Sequence, residues 1–112
     1  MLNDFRAGDV EIIIDDDEGL TSLCARWSDK GGYFCIARDP EEAGLYCEFC
    51  DQSNGFYSKT ISSKQVGQCI EFVLGANESF SRTNPISAIR ICFPERQDEV
   101  SVCVSRLFGE DQ

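Results

Sequence analysis

The residues of this 112-residue chain with the most evident chemistry are its seven cysteines: Cys24, Cys35, Cys47, Cys50, Cys69, Cys92 and Cys103. Cys47-Glu48-Phe49-Cys50 has the Cys-x-x-Cys spacing that can hold zinc or a redox-active disulfide. Its surroundings favour neither use. A tetrahedral zinc site needs a second such pair or two histidines, and the chain contains no histidine. A thioredoxin-like pair stands at a helix N-terminus, whereas a turn, Asp51-Gln52-Ser53-Asn54-Gly55, follows this one. Residues three apart in a strand face opposite ways, so Cys47 joins Leu45 and Phe49 while Cys50 joins Tyr46. An odd cysteine count without a leader peptide fits reduced thiols in a reducing, cytoplasmic setting. The expectation is free thiols, no metal and no cofactor, with most cysteines acting as small buried hydrophobes.

Other catalytic constellations are equally hard to build. Without histidine, a serine or cysteine nucleophile lacks its usual base, and no lysine sits in a recognisable pairing. Gly31-Gly32 lies between two strand-like runs, not before a helix, so it is no phosphate loop. The 20 carboxylates leave a two-carboxylate hydrolase open by composition alone. Yet Asp15-Asp16-Asp17-Glu18 packs like charges at a turn, which suits solvent or a partner better than a poised acid. The chain reads as a non-enzyme.

The formal charge of −10 argues against nucleic acid or an anionic membrane as partner, because both need basic surface. It favours a cationic protein; the plainer alternative is a soluble, self-repelling surface. The charge is uneven: residues 1–60 hold 13 acids and 5 bases, residues 61–112 hold 7 and 5. The candidate partner-binding residues are therefore Asp15, Asp16, Asp17 and Glu18, with Glu41 and Glu42 in the next acidic loop.

The elements that must position these residues follow from periodicity. The sequence predicts strands at Val10–Asp15, Leu20–Trp27, Tyr33–Arg38, Leu45–Cys50, Phe56–Thr60, Ile86–Phe93 and Val100–Val104, after a polar lead-in at Met1–Asp9. A polar crossing segment is expected at Ala76–Pro85. One helix is predicted near 62–74. Val66, Cys69, Ile70, Val73 and Leu74 have the spacing of one buried face, Ser62 and Gln65 form a capping box, and Gly75 follows as C-cap. The expected fold is α+β: a single domain over residues 1–112, with a mainly antiparallel sheet of about six or seven strands and one amphipathic helix on one face. No apolar run approaches the roughly 20 residues that span a bilayer.

The block Ser62–Leu74, with paired short strands before it and a polar segment containing Pro85 after it, resembles the helix-centred core of bacterial toxin-immunity proteins. Cys69-Ile70-Glu71-Phe72-Val73-Leu74-Gly75 is similar to the end of that family's helix, of the type A-x-x-x-F-L-x-x-G, and the likeness spans about residues 20–90. It implies a cytoplasmic immunity protein (antitoxin) of contact-dependent growth inhibition, which binds and blocks a basic toxin domain, a nuclease or other nucleic-acid-directed toxin. It brings no site residues with it. A non-catalytic adaptor using its acidic loops or a sheet edge is the alternative.

Overall fold

Alternating apolar and polar residues build most of this molecule, and they do so twice, in two facing sheets. The structure, a computed structural model, describes residues 3–15, 17–27, 32–39, 41, 43–50, 54–75, 78–80 and 86–109. The strands are β1 (Asn3–Arg6), β2 (Asp9–Asp15), β3 (Leu20–Trp27), β4 (Gly32–Arg38), β5 (Leu45–Phe49), β6 (Phe56–Ser58), β7 (Ser62–Val66), β8 (Cys69–Val73) and β9 (Ala88–Cys92), followed by the helix α1 (Gln97–Leu107). One sheet has the order β2-β3-β4-β5-β6, antiparallel throughout. The other has the order β1-β9-β8-β7, antiparallel except for the parallel pair β1–β9.

The α+β expectation holds, with a mainly antiparallel arrangement and one helix. The single sheet of six or seven strands is corrected to nine strands in sheets of five and four. The seven predicted strands gain β1, inside the supposed lead-in, and two in the segment read as the helix, and lose the last, Val100–Val104, to α1.

That segment, 62–74, is the β7–β8 hairpin. Gly67, at φ 62°, and Gln68 turn the chain between Val66 and Cys69, with glycine first as a type II′ turn requires. Ile70, Phe72 and Leu74 are buried while Val73 is exposed, a period of two. The helix lies instead at the predicted last strand, Val100–Val104. There Val100, Cys103 and Leu107 are buried, with Val104 and Phe108 packed beside them, again the spacing i, i+3, i+4, i+7, i+8. Asp98 and Glu99 in the first turn and Arg106 in the last suit the helix dipole. Gly109 follows at φ 68°, its N–H donating to the Arg106 carbonyl at 3.4 Å.

The core fills the space between the sheets. From the five-stranded sheet come Leu23, Ala25, Trp27, Phe34, Ile36, Leu45, Cys47 and Phe49; from the four-stranded sheet come Ile70, Phe72, Ile89 and Ile91. Aromatic rings join the two layers: Phe5 stacks on Trp27 at 4.2 Å, and Phe34 meets Phe72 at 5.0 Å. Fully burying a ring such as Phe34 or Phe72 contributes about 1.5–3 kcal/mol. The helix is part of this layer, packing on β3 and β2 and bringing Phe108 to 6.4 Å from Phe72. No helix of the described residues is long and apolar enough to cross a membrane.

Candidate protein-binding face

The register of the five-stranded sheet decides where the acidic candidates go. Ile14 pairs with Thr21, and Thr21 with Arg38, so the β2–β3 turn and the β4–β5 loop lie at the same end. Asp17, Glu18 and Glu41 are exposed there, and no described cation lies within ion-pair distance of any of them. Asp15 acts locally, its Oδ1 accepting the N–H groups of Asp17 at 3.1 Å and Glu18 at 3.2 Å to close the turn. Asp39 does the same for Glu41 at 2.9 Å. Asp16 and Glu42 lie outside the described residues. A cleft of about 270 Å³ opens at this end, and Arg38 and Lys59 in its lining keep the end from being uniformly anionic. Arg38 also donates to the Arg106 carbonyl at the helix C-terminus, at 3.3 Å.

The side of this sheet turned away from the core carries a second, larger constellation. Strand alternation puts Asp9, Glu11, Ile13 and Asp15 of β2 on it, followed by Ser22, Cys24 and Arg26, then Tyr33, Cys35 and Ala37, then Tyr46 and Glu48, and finally Tyr57. All three tyrosines of the chain stand on this one face. Tyr33 Oη donates to Glu48 Oε2 at 2.5 Å and Tyr46 Oη to Glu48 Oε1 at 2.7 Å, so one carboxylate is held between two phenols. The Tyr46 and Tyr57 rings meet edge to face at 5.3 Å. The hydrogen bond to the Glu48 carboxylate, with burial second, pushes the Tyr46 phenol up to about 12. Arg26 reaches Asp9 at 3.6 Å and Glu11 at 3.5 Å, exposed pairs worth about 0–1 kcal/mol each.

The two outer faces differ in sign. On the five-stranded sheet Asp9, Glu11, Asp15 and Glu48 stand against Arg26, the one cation there among the described residues. On the four-stranded sheet Asp4 and Glu71 alternate with Arg90 and Lys64 in one cross-strand row, and Arg6 adds a third cation. Arg90 there bonds Glu71 at 3.0 Å and approaches Asp4 at 3.7 Å.

The cysteines require a correction. Cys24 is paired with Cys35 and Cys69 with Cys92, each a disulfide between directly opposed residues of neighbouring strands, with Cα atoms 4.1 and 3.8 Å apart. Sequence spacing gave no sign of this, because partner and register come from tertiary pairing. The Cys-x-x-Cys motif is split as expected: Cys47 is buried on the core side and Cys50 is exposed. Burial, with Glu78 nearby, pushes the Cys47 thiol up to about 12, and burial raises Cys103 to about 11, so neither is poised as a nucleophile. Among the described residues no three His, Cys, Asp or Glu side chains gather as a metal site.

Ser58 is buried and donates to Glu78 Oε1 at 2.5 Å. Its Oγ also accepts the N–H groups of Thr60 and Ile61, at 3.2 and 3.0 Å, and Thr60 Oγ1 donates to the same Glu78 oxygen. This ties the β6–β7 corner to the segment after β8, with the hydroxyl serving as a latch.

Sequence reasoning missed the tyrosine–glutamate group. Its local signal was the alternation of Tyr46 and Glu48 with the apolar Leu45, Cys47 and Phe49; the cross-strand arrival of Tyr33 and Tyr57 had none. No protein-family model matches this chain, and no curated protein and no solved structure matches it either.

Proposed function

We propose that this domain is a non-catalytic binding protein that recognises a cationic protein, with an immunity protein occluding a basic toxin domain as its specific form. The observation that carries the reading is the sign difference between the two outer faces: the acid excess is gathered on the five-stranded sheet and its acidic end, while the other sheet is nearly balanced. Complementary fields speed encounter and fix orientation, which is what an inhibitor of a basic protein needs. The likeness to immunity proteins is centred on a helix, and 62–74 is a hairpin, so the toxin reading rests on charge. The β2 edge is partly occupied from within, since Arg96 Nη1 donates to the Val10 carbonyl at 2.7 Å. Disulfides persist in oxidising compartments, so Cys24–Cys35 and Cys69–Cys92 favour a meeting place outside the reducing cytosol.

The test is co-purification from cells with the native locus intact, under non-reducing conditions. A basic protein recovered at about one-to-one stoichiometry, and released by salt, is the expected result. Turnover of a substrate by the purified chain alone, or recovery only of an acidic or neutral partner, would contradict it.

A further inference from the structure

The outer face of the five-stranded sheet holds more than an excess of acid. Its middle is low over part of its length: Ser22, Ala37 and the Cys24–Cys35 disulfide occupy β3 and β4, and the opposed pair Arg26 and Tyr33 closes one end. Tyr33, Tyr46 and Tyr57 rise on one side of this trough, and Glu11 and Ile13 on the other. Glu48 lies in the same cross-strand row as Cys35, Cys24 and Glu11. Its oxygens each accept one phenol, which fixes the carboxylate and leaves each oxygen a further lone pair. The bond between Cys24 and Cys35 pins the β3–β4 register beneath it.

A held carboxylate flanked by aromatic rings is complementary to a guanidinium. Arginine is planar, stacks on ring faces, donates in a fork to carboxylate and sheds water more readily than lysine. A second anionic post stands across the trough, where Asp9 and Glu11 share the one Arg26. With strands about 4.8 Å apart, Glu48 and Glu11 are three spacings, about 14 Å, from each other. In an extended chain about 14 Å is four residues, and side chains four apart point the same way.

We infer that this face is a docking platform for an extended, arginine-bearing segment of the partner, one guanidinium seated at Glu48 between Tyr33 and Tyr46 and a second, four residues away, at Asp9 and Glu11. The inference rests on the cationic-partner reading and names its contact.

The test is an amide NMR titration of the full oxidised chain with the blocked pentapeptide Arg-Thr-Ser-Thr-Arg, beside the same peptide with lysine or citrulline in place of arginine. Shifts are expected at Tyr33, Cys35, Ala37, Tyr46, Glu48 and Tyr57. Affinity should fall about tenfold for Glu48→Gln and about threefold to tenfold for Tyr46→Leu, and the citrulline peptide should fail to bind. Should Tyr46→Leu disturb the fold, Glu48→Gln and the citrulline peptide carry the test. Equal binding of the lysine or citrulline peptide, no binding at all, or shifts confined to the four-stranded sheet would overturn the inference. Loss of binding in Asp17→Asn/Glu18→Gln/Glu41→Gln, with Glu48→Gln unaffected, would overturn the platform while leaving the cationic-partner reading intact. That reading fails separately, in the co-purification.

Discussion

Glu78 illustrates how a carboxylate in an acidic chain can be structural. Burial works against its charge, yet hydrogen bonds from Ser58, Thr60 and the Lys59 backbone outweigh it and hold the carboxyl below its usual range. A lowered folded-state value means stability that is present above the unfolded value and lost as pH falls through the folded one. Glu78→Gln should therefore cost about 1.5–3 kcal/mol near neutral pH, the range for hydrogen bonds to a charged group. Urea unfolding of both proteins should show that gap shrinking as pH drops to about 3. A gap independent of pH would show that the charge on Glu78 does not contribute. Neither this latch nor the Glu48 group was legible from sequence, because each joins residues far apart in the chain. Cysteine behaved likewise. The core-side position of Cys47 followed from alternation, whereas Cys50 leaves the strand at φ 61° and the disulfide partners Cys24–Cys35 and Cys69–Cys92 depend on register. The supposed crowding of four free carboxylates at 15–18 also softens, since Asp15 is engaged in closing its own turn.

At the scale of elements, period two is legible wherever a strand alternates cleanly, as in Leu20–Trp27 and Leu45–Phe49. It fails where the two periods coincide. Val66, Cys69, Ile70, Val73 and Leu74 fit a helical stripe, but Ile70, Phe72 and Leu74 fit a strand equally well, and Gly67 decides between them. The true helix is concealed by the alternating Val100, Val102 and Val104 and by an N-cap, Arg96, with no side-chain cap. Arg96 is instead engaged with Glu99, at 2.9 and 3.0 Å. Gly67→Ala distinguishes the two structures by sign. In a helix it would stabilise by about 0.5–1 kcal/mol; at φ 62° in the β7–β8 turn it should destabilise by about 1–2 kcal/mol. Nothing lies within 4 Å of the added methyl, so no steric clash contributes to the change in denaturation midpoint. A stabilised Gly67→Ala protein would restore the helix.

For the molecule as a whole, the charge asymmetry between chain halves is visible in the sequence, and the fold turns it into an asymmetry between faces. Residues 9–48 supply the five-stranded sheet's acids, while the later strands β8 and β9 build a self-neutralising row around Arg90 and Glu71. Folding thus concentrates negative potential on one side, together with the three tyrosines, and leaves the opposite side as an internal control. Carboxylate footprinting of the complex recovered with the native locus, using a water-soluble carbodiimide and peptide mass mapping, measures this directly. Asp9, Glu11, Asp15 and Glu48 should be protected by the partner relative to the free chain, while Asp4 and Glu71 keep their labelling. Protection of Asp4 and Glu71 with the five-stranded face still open would contradict the account.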